Sequence, residues 1–204
     1  MEFADTNASS AVLSIGVGLG LAAAAGFRVF VPLLVLSLAA KAGYLPLSAG
    51  FEWVGTTPAL IAFATATVLE VLGYYIPWFD NLLDTIATPS AVVAGVVASA
   101  SVMTDLPPLV KWSVALIGGG GAAGLVAGST SLLRLKSTAT TAGLANPLVA
   151  TIELAGSLFT SVFAILVPAL VLIALAVLFF VVWRISRRFT GPKGDRQLSE
   201  SPFS

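Results

Sequence analysis

The chain alternates between long apolar segments and short polar ones. A helix needs about 20 mostly apolar residues to cross a hydrocarbon core of ~30 Å, and the apolar segments approach or exceed that length. Turn residues separate them, for example Asp105 and the pair Pro107 and Pro108. Six such segments are predicted, at residues 11–40, 58–76, 89–105, 109–133, 147–167 and 168–183. The pattern predicts an all-α, polytopic membrane helix bundle of about six crossings.

The first apolar segment is too long for one straight crossing. At about 1.5 Å per residue, a helix over 11–40 would extend about 45 Å, well beyond the hydrocarbon core. Gly26 and Pro32 lie inside it, and Arg28 lies between them. Membrane helices tolerate Gly and Pro where neighbouring groups satisfy the freed backbone. We therefore predict a broken or strongly tilted helix whose irregular part is near residues 26–32.

The segments form two sets of three with a common order. Each set has a long Gly-rich segment, a polar loop, a helix that carries a glutamate, and an apolar helix headed by proline. The order predicts a duplication, with repeats at 11–105 and 106–185 between a polar tail at 1–10 and a basic, polar tail at 186–204. Three crossings is an odd number, so the second repeat would be inverted, as in many transporters. The alternative is that any two apolar helices look alike.

Basic residues indicate the orientation. A cluster follows residue 183, and Arg134 and Lys136 fall on the same side if there are six crossings. Basic loops favour the cytoplasmic side, so we predict a cytoplasmic C-terminus in a bacterial cell membrane.

The composition excludes several kinds of chemistry. The chain of 204 residues is 57% hydrophobic and 10% charged, whereas soluble domains carry about 25% charged residues. It contains no Cys and no His, which removes thiolate chemistry and the usual zinc sites. The formal net charge is zero, which gives no support for nucleic-acid binding. We expect no cofactor, no metal site and no enzymatic activity.

Three charged residues, Arg28, Glu70 and Glu153, lie well inside the apolar segments, whereas the other charges lie in loops, in the tails or at helix ends. A charge at that depth costs roughly 2.5 to 3.5 kcal/mol even on a lenient scale, so such residues are functional candidates. The functional interpretation is an ion or proton site at the repeat interface, with Arg28 as charge partner. Two carboxylates sharing one cavity would not both stay charged easily. The structural interpretation is that Arg28 and the glutamates lock the helices together.

Hydroxyl and amide groups precede the second of these glutamates. Thr140, Thr141 and Asn146 lie just before the helix of Glu153. They are typical N-capping residues. Alternatively, they place helix N-termini and hydroxyls against an ion.

Short motifs along residues 10–185 resemble a known bacterial membrane family. The residues that carry the resemblance are Gly20, Leu21, Ala22, Gly26, Phe27, Arg28, Pro32, Leu33, Leu69, Glu70, Pro77, Asp80, Asn81, Arg134, Thr140, Thr141, Gly143, Leu144, Asn146, Pro147 and Glu153. In this arrangement the chain resembles the family catalogued as domain of unknown function 4126. The resemblance implies a small multi-pass protein and supplies no activity.

Two functions remain after these exclusions. The first is a small transporter or channel for an ion or small solute, with Glu70 and Glu153 as its polar centre. The second is a non-catalytic structural or accessory subunit, whose Gly-rich faces, such as Gly124 and Gly128, pack against partner proteins or lipids. The expected partner is the lipid bilayer, with a homo-oligomer or larger membrane complex as a further possibility.

Overall fold

The structure, a computed structural model, describes residues 2–170 and, beyond them, residues 173, 177, 180 and 184. The described residues form helices and connecting turns, with no β-strand among them. The helices are α1 (Glu2–Phe27), α2 (Phe30–Lys41), α3 (Thr57–Gly73), α4 (Pro77–Val102), α5 (Pro108–Ser113), α6 (Gly120–Thr141) and α7 (Asn146–Leu166). A 3₁₀ turn covers Glu52–Gly55, and a π-helical segment, Val114–Gly119, joins α5 to α6. The chain divides into two units, 1–172 and 173–204, and α1–α7 belong to the first.

Four of these helical stretches are long and apolar enough to cross a membrane: Ser9–Phe27, Thr85–Val102, Pro108–Thr141 and Asn146–Leu166. Two shorter apolar helices, Phe30–Lys41 and Thr57–Gly73, accompany them. The predicted all-α membrane fold is therefore confirmed. The six crossings and the inverted repeats stay predictions, and most of the segment at 168–183 and the tail at 186–204 lie outside the described residues.

The first apolar segment is broken where the Gly and Pro pattern predicts. Helix α1 ends at Phe27 and α2 begins at Phe30, so only Arg28 and Val29 separate them. Pro32 lies in the first turn of α2, where a missing N–H costs no intrahelical bond. Helix α1 also extends back to Glu2, through the residues predicted as a polar tail.

Two predicted boundaries are wrong. Helix α4 begins at Pro77, and Pro89 lies inside it, because packing of the following turns against α1 and α6 outweighs one lost hydrogen bond. Helix α6 continues past Arg134 to Thr141. It ends where Ala142 and Gly143 adopt left-handed backbone angles, with φ of 52° and 85°.

Helix α1 is the central element of the bundle and packs against α4, α6 and α7. Alanines such as Ala22, Ala24 and Ala25 are buried along it. A Cβ added to Gly26 would lie 2.5 Å from Val126 Cβ, and one added to Gly95 would lie 2.6 Å from Ala123 Cβ. Small residues therefore let the helices approach closely.

Gly124 and Gly128, the pair predicted to permit close helix packing, have few close neighbours within the bundle. A Cβ on Gly124 would meet only Val92, at 3.3 Å, and nothing lies within 4 Å of one on Gly128. Close approaches occur instead inside the bundle, for example at Gly26, Gly95 and Gly119.

Candidate functional site

Four charged side chains are buried together near the break between α1 and α2. Their exposed fractions are 2% for Arg28, 7% for Glu70, 4% for Arg134 and 5% for Glu153. Arg28 comes from the break, Glu70 from α3, Arg134 from α6 and Glu153 from α7. We call these four residues the charge cluster. With all four ionised, its formal charges cancel.

Glu153 is held by both arginines. Arg134 Nε donates to Glu153 Oε1 at 3.0 Å and Arg134 Nη2 donates to Oε2, which gives a two-point ion pair. Arg28 Nη2 lies 3.6 Å from Glu153 Oε2 and donates to the carbonyl oxygen of Ala150 at 2.8 Å. The planar guanidinium group matches a carboxylate in this manner. Glu153 is therefore a fixed, multiply bonded acceptor.

Glu70 is held by backbone amides instead. The N–H of Val29 donates to its Oε1 at 2.8 Å, and the N–H of Phe30 donates to its Oε2 at 3.0 Å. These N–H groups lie at the start of α2, just after the break. Like the first N–H groups of any helix, they have no carbonyl acceptor within their own helix. A helix N-terminus also carries partial positive charge, which favours a carboxylate. Glu70 thus caps α2 from another helix.

Tyr74 connects the two arginines. It follows Glu70 by one helical turn at the end of α3 and is buried. The guanidinium carbon of Arg28 lies 3.8 Å from the centre of its ring, and that of Arg134 lies 4.2 Å from it. Such cation–π contacts are worth about 2 kcal/mol or more where water is excluded. Tyr74 therefore helps to keep two like charges in one apolar region.

A small cavity of about 10 Å³ lies at the cluster. Glu70, Tyr74, Arg134 and Glu153 line it, together with Thr130 and small residues of α1. A volume of this size holds about one water molecule. The arrangement can therefore accommodate a proton carrier, a water or a single small ion next to two carboxylates.

The family model described as "Domain of unknown function (DUF4126)" matches residues 15–188 of the chain. The chain belongs to this family. The match covers all four residues of the charge cluster. Neither the curated proteins nor the solved structures contain a match. The family description names no activity, so the function of this DUF4126 protein is argued from its charge cluster.

The structure brings together three of the residues singled out from the sequence. Glu70 and Glu153 line one cavity, and Arg28 contacts Glu153. Arg28 also lies within electrostatic range of Glu70.

The other predicted polar residues lie at the junction of α6 and α7, away from the cavity lining. Asn146 Nδ2 donates to Thr138 Oγ1 at 3.2 Å. Thr140 Oγ1 donates to the carbonyl of Lys136 at 2.8 Å, and Thr141 Oγ1 accepts the N–H of Ala145 at 3.2 Å. These three hydrogen bonds are local to the helix ends. The helix N-terminus that does face a carboxylate is that of α2.

Arg134 is the member of the cluster that sequence reasoning missed. Lys136 and the Ser- and Thr-rich stretch after it predict the end of a helix, which places Arg134 at a boundary. One signal was present, since Leu133 and Leu135 flank Arg134 and continue the apolar pattern. No group of three or more metal-ligating side chains occurs in the described part of the chain.

Proposed function

We propose that this DUF4126 protein is a small membrane transporter or channel that moves a proton or a small ion. Glu70 and Glu153 form its polar centre, and Arg28 and Arg134 are the charge partners. The observation that supports this proposal is the burial of four charges in one cluster, three of which, Glu70, Arg134 and Glu153, line a cavity of about 10 Å³. Apolar side chains could anchor the same helices without the cost of removing four charges from water.

The two glutamates have different roles in the proposal. Glu153 is paired with two arginines, so its carboxylate is fixed in place and orders the site. Among the described residues, Glu70 makes no salt bridge and is held only by two backbone N–H groups. We infer that Glu70 is the group that gains and loses a proton or exchanges with the transported ion.

The proposal includes a location and an orientation. The protein lies in the cell membrane of a bacterium, with its C-terminus in the cytoplasm and with the bilayer as its main partner. It acts without catalysis, because the chain lacks the Cys and His side chains that supply most nucleophiles and bases.

Flux into liposomes tests the proposal. The purified protein is reconstituted, and fluxes of protons, Na⁺, K⁺ and common anions are measured between pH 5 and 8. We expect a pH-dependent flux that Glu70→Gln and Glu153→Gln each abolish. Glu52→Gln is the control, because Glu52 is exposed and bonds only the N–H of Gly50, at 2.9 Å. Normal flux through either cluster variant contradicts the proposal, provided that a melting curve shows each variant folded.

One observation favours a structural subunit instead. Arg134 and Arg28 tie α6 and the α1–α2 break to α7, through Glu153 and the carbonyl of Ala150. In that function the cluster holds helices together, and the exposed apolar faces contact other proteins. Co-purification in a larger assembly of fixed stoichiometry, without flux, would favour it.

A further inference from the structure

The N-terminus of α2 is occupied by a carboxylate that belongs to a different helix. Both oxygens of Glu70 accept N–H bonds there, at 2.8 and 3.0 Å. Glu70 is 7% exposed, so its carboxylate is shielded from bulk solvent. A carboxylate that bonds backbone amides in this way has the chemistry of a bound anion. Glu70 is in effect an anion tethered to α3.

Arg28 supplies a second sign of an anion site. Its Nε and Nη1 atoms are buried without a hydrogen-bond partner among the described residues, and the residue is 2% exposed. Its guanidinium contacts Tyr74 and Glu153, both of which line the cavity with Glu70. Buried charged donors without an acceptor are unfavourable and rare. An acceptor bound next to Arg28 would satisfy them.

We propose that a small monovalent anion, of the size of chloride or formate, binds at the N-terminus of α2 and Arg28 when the Glu70 carboxylate is neutralised or withdrawn. This rests on the proposed function, because it names the transported ion. Protonation of Glu70 weakens its bonds to the two amides and frees them for the anion.

The charges around Glu70 favour an anion over a cation. Arg134 from α6, Glu153 from α7 and Tyr74 from α3 line the cavity with Glu70. Arg28, from the α1–α2 break, contacts Tyr74 and Glu153 and lies within electrostatic range of Glu70. When Glu70 is neutral, the two arginines outnumber Glu153, and the cluster is positive. An entering anion restores neutrality, whereas a cation adds to the excess.

Thermal unfolding in detergent tests the binding directly. Glu70→Ala removes the tethered carboxylate and leaves a space for a free one. At neutral pH we expect sodium formate or chloride to raise its melting temperature by about 5 °C relative to sodium gluconate, whose anion is too large to enter. The wild type should show no such difference. Leu69→Ala is the control, because Leu69 is 62% exposed on the same helix.

A second variant covers a failure of Glu70→Ala to fold. Glu70→Gln keeps the volume and removes the charge, so chloride should stabilise it at every pH from 7.5 to 4.5. In the wild type the same stabilisation should appear only as the pH falls. The inference is overturned if neither chloride nor formate changes the melting temperature of Glu70→Gln and Glu70→Ala.

The outcomes separate this inference from the proposed function. Stabilisation by the anion without any flux supports the site and contradicts transport. Proton or cation flux that requires Glu70, with no response to small anions, supports transport and contradicts the anion site.

Discussion

Arg134 is the side chain on which the charge cluster depends most. Removal of the Arg134 side chain breaks its two-point ion pair with Glu153. Glu153 then remains buried with only the longer contact to Arg28. An uncompensated buried charge costs about 3 to 5 kcal/mol. We therefore expect Arg134→Met to be strongly destabilised in detergent, as measured by its melting temperature.

Lys136→Met is the matched control for that prediction. Lys136 lies two residues further along α6 and is exposed, so its replacement should leave the melting temperature nearly unchanged. The double variant Arg134→Met, Glu153→Leu should be more stable than Arg134→Met alone, because it removes both charges. A double variant that is less stable than the single one would contradict the ion pair as the source of the effect.

For single residues, the sequence shows which charged side chains are buried better than it shows which groups they contact. Glu70, Glu153 and Arg28 are recognisable because each interrupts a long apolar segment. Arg134 is hidden by the polar residues that follow it. The partners of Glu70 cannot be predicted, because they are backbone N–H groups of Val29 and Phe30, freed by a break whose position the sequence gives only to within a few residues.

Among the helices, the contact between α1 and α6 should be sensitive to added volume. In Gly26→Ala the new Cβ would lie 2.5 Å from Val126 Cβ and 2.6 Å from the carbonyl oxygen of Ala123. Since the latter is backbone, the helices must separate, which costs about 1 to 3 kcal/mol. We expect a lower melting temperature and, because Gly26 lines the cavity, reduced flux.

Gly121→Ala is the corresponding control in α6. Nothing lies within 4 Å of a Cβ added there, and alanine favours a helix by up to about 1 kcal/mol over glycine. Its melting temperature should be unchanged or slightly raised. Equal destabilisation of both variants would show that the effect does not arise from close packing.

The helical type of these segments is more predictable from the sequence than their lengths. The break before α2 is marked by Gly26 and Pro32. The end of α6 is set by Gly143, a C-terminal signal that the charges of Arg134 and Lys136 obscured. Pro89 was interpreted as a helix start, yet in α4 it is an interior residue, because tertiary packing outweighs a local preference.

At the scale of the first unit, residues 1–172, three of the connections between helices can be assigned to the two ends of the bundle. The N–H of Ser48 donates to the carbonyl of Ser101 at 2.7 Å, and Lys111 Nζ donates to Ser48 Oγ at 2.8 Å, so the α2–α3 and α4–α5 connections meet. The continuous helix Pro108–Thr141 has 34 residues and extends about 51 Å away from that end. The α6–α7 connection therefore lies at the other end.

A labelling experiment tests this arrangement in the membrane. Because the chain contains no Cys, single cysteines at Ala42, Asp105 and Leu144 give unambiguous sites. Membrane-impermeant reagents should label Ala42 and Asp105 from one side and Leu144 from the other. The proposed cytoplasmic C-terminus puts a cysteine at Ser199 on the side of Leu144. Labelling of Ala42 and Asp105 from the side of Ser199 would exclude the inverted repeats.

The spacing of the charge cluster along the chain has a consequence for biosynthesis. The ribosome completes α1–α4, with Arg28 and Glu70, before it reaches Arg134 or Glu153. Until α7 leaves the ribosome, Arg28 has neither Glu153 nor the carbonyl of Ala150 as an acceptor. Arg134 and Glu153 are 19 residues apart, on neighbouring helices. This ion pair can therefore enter the membrane together, as one hairpin of α6 and α7. Nascent chains that stop before α7 hold an uncompensated arginine, and we expect membrane proteases to remove them.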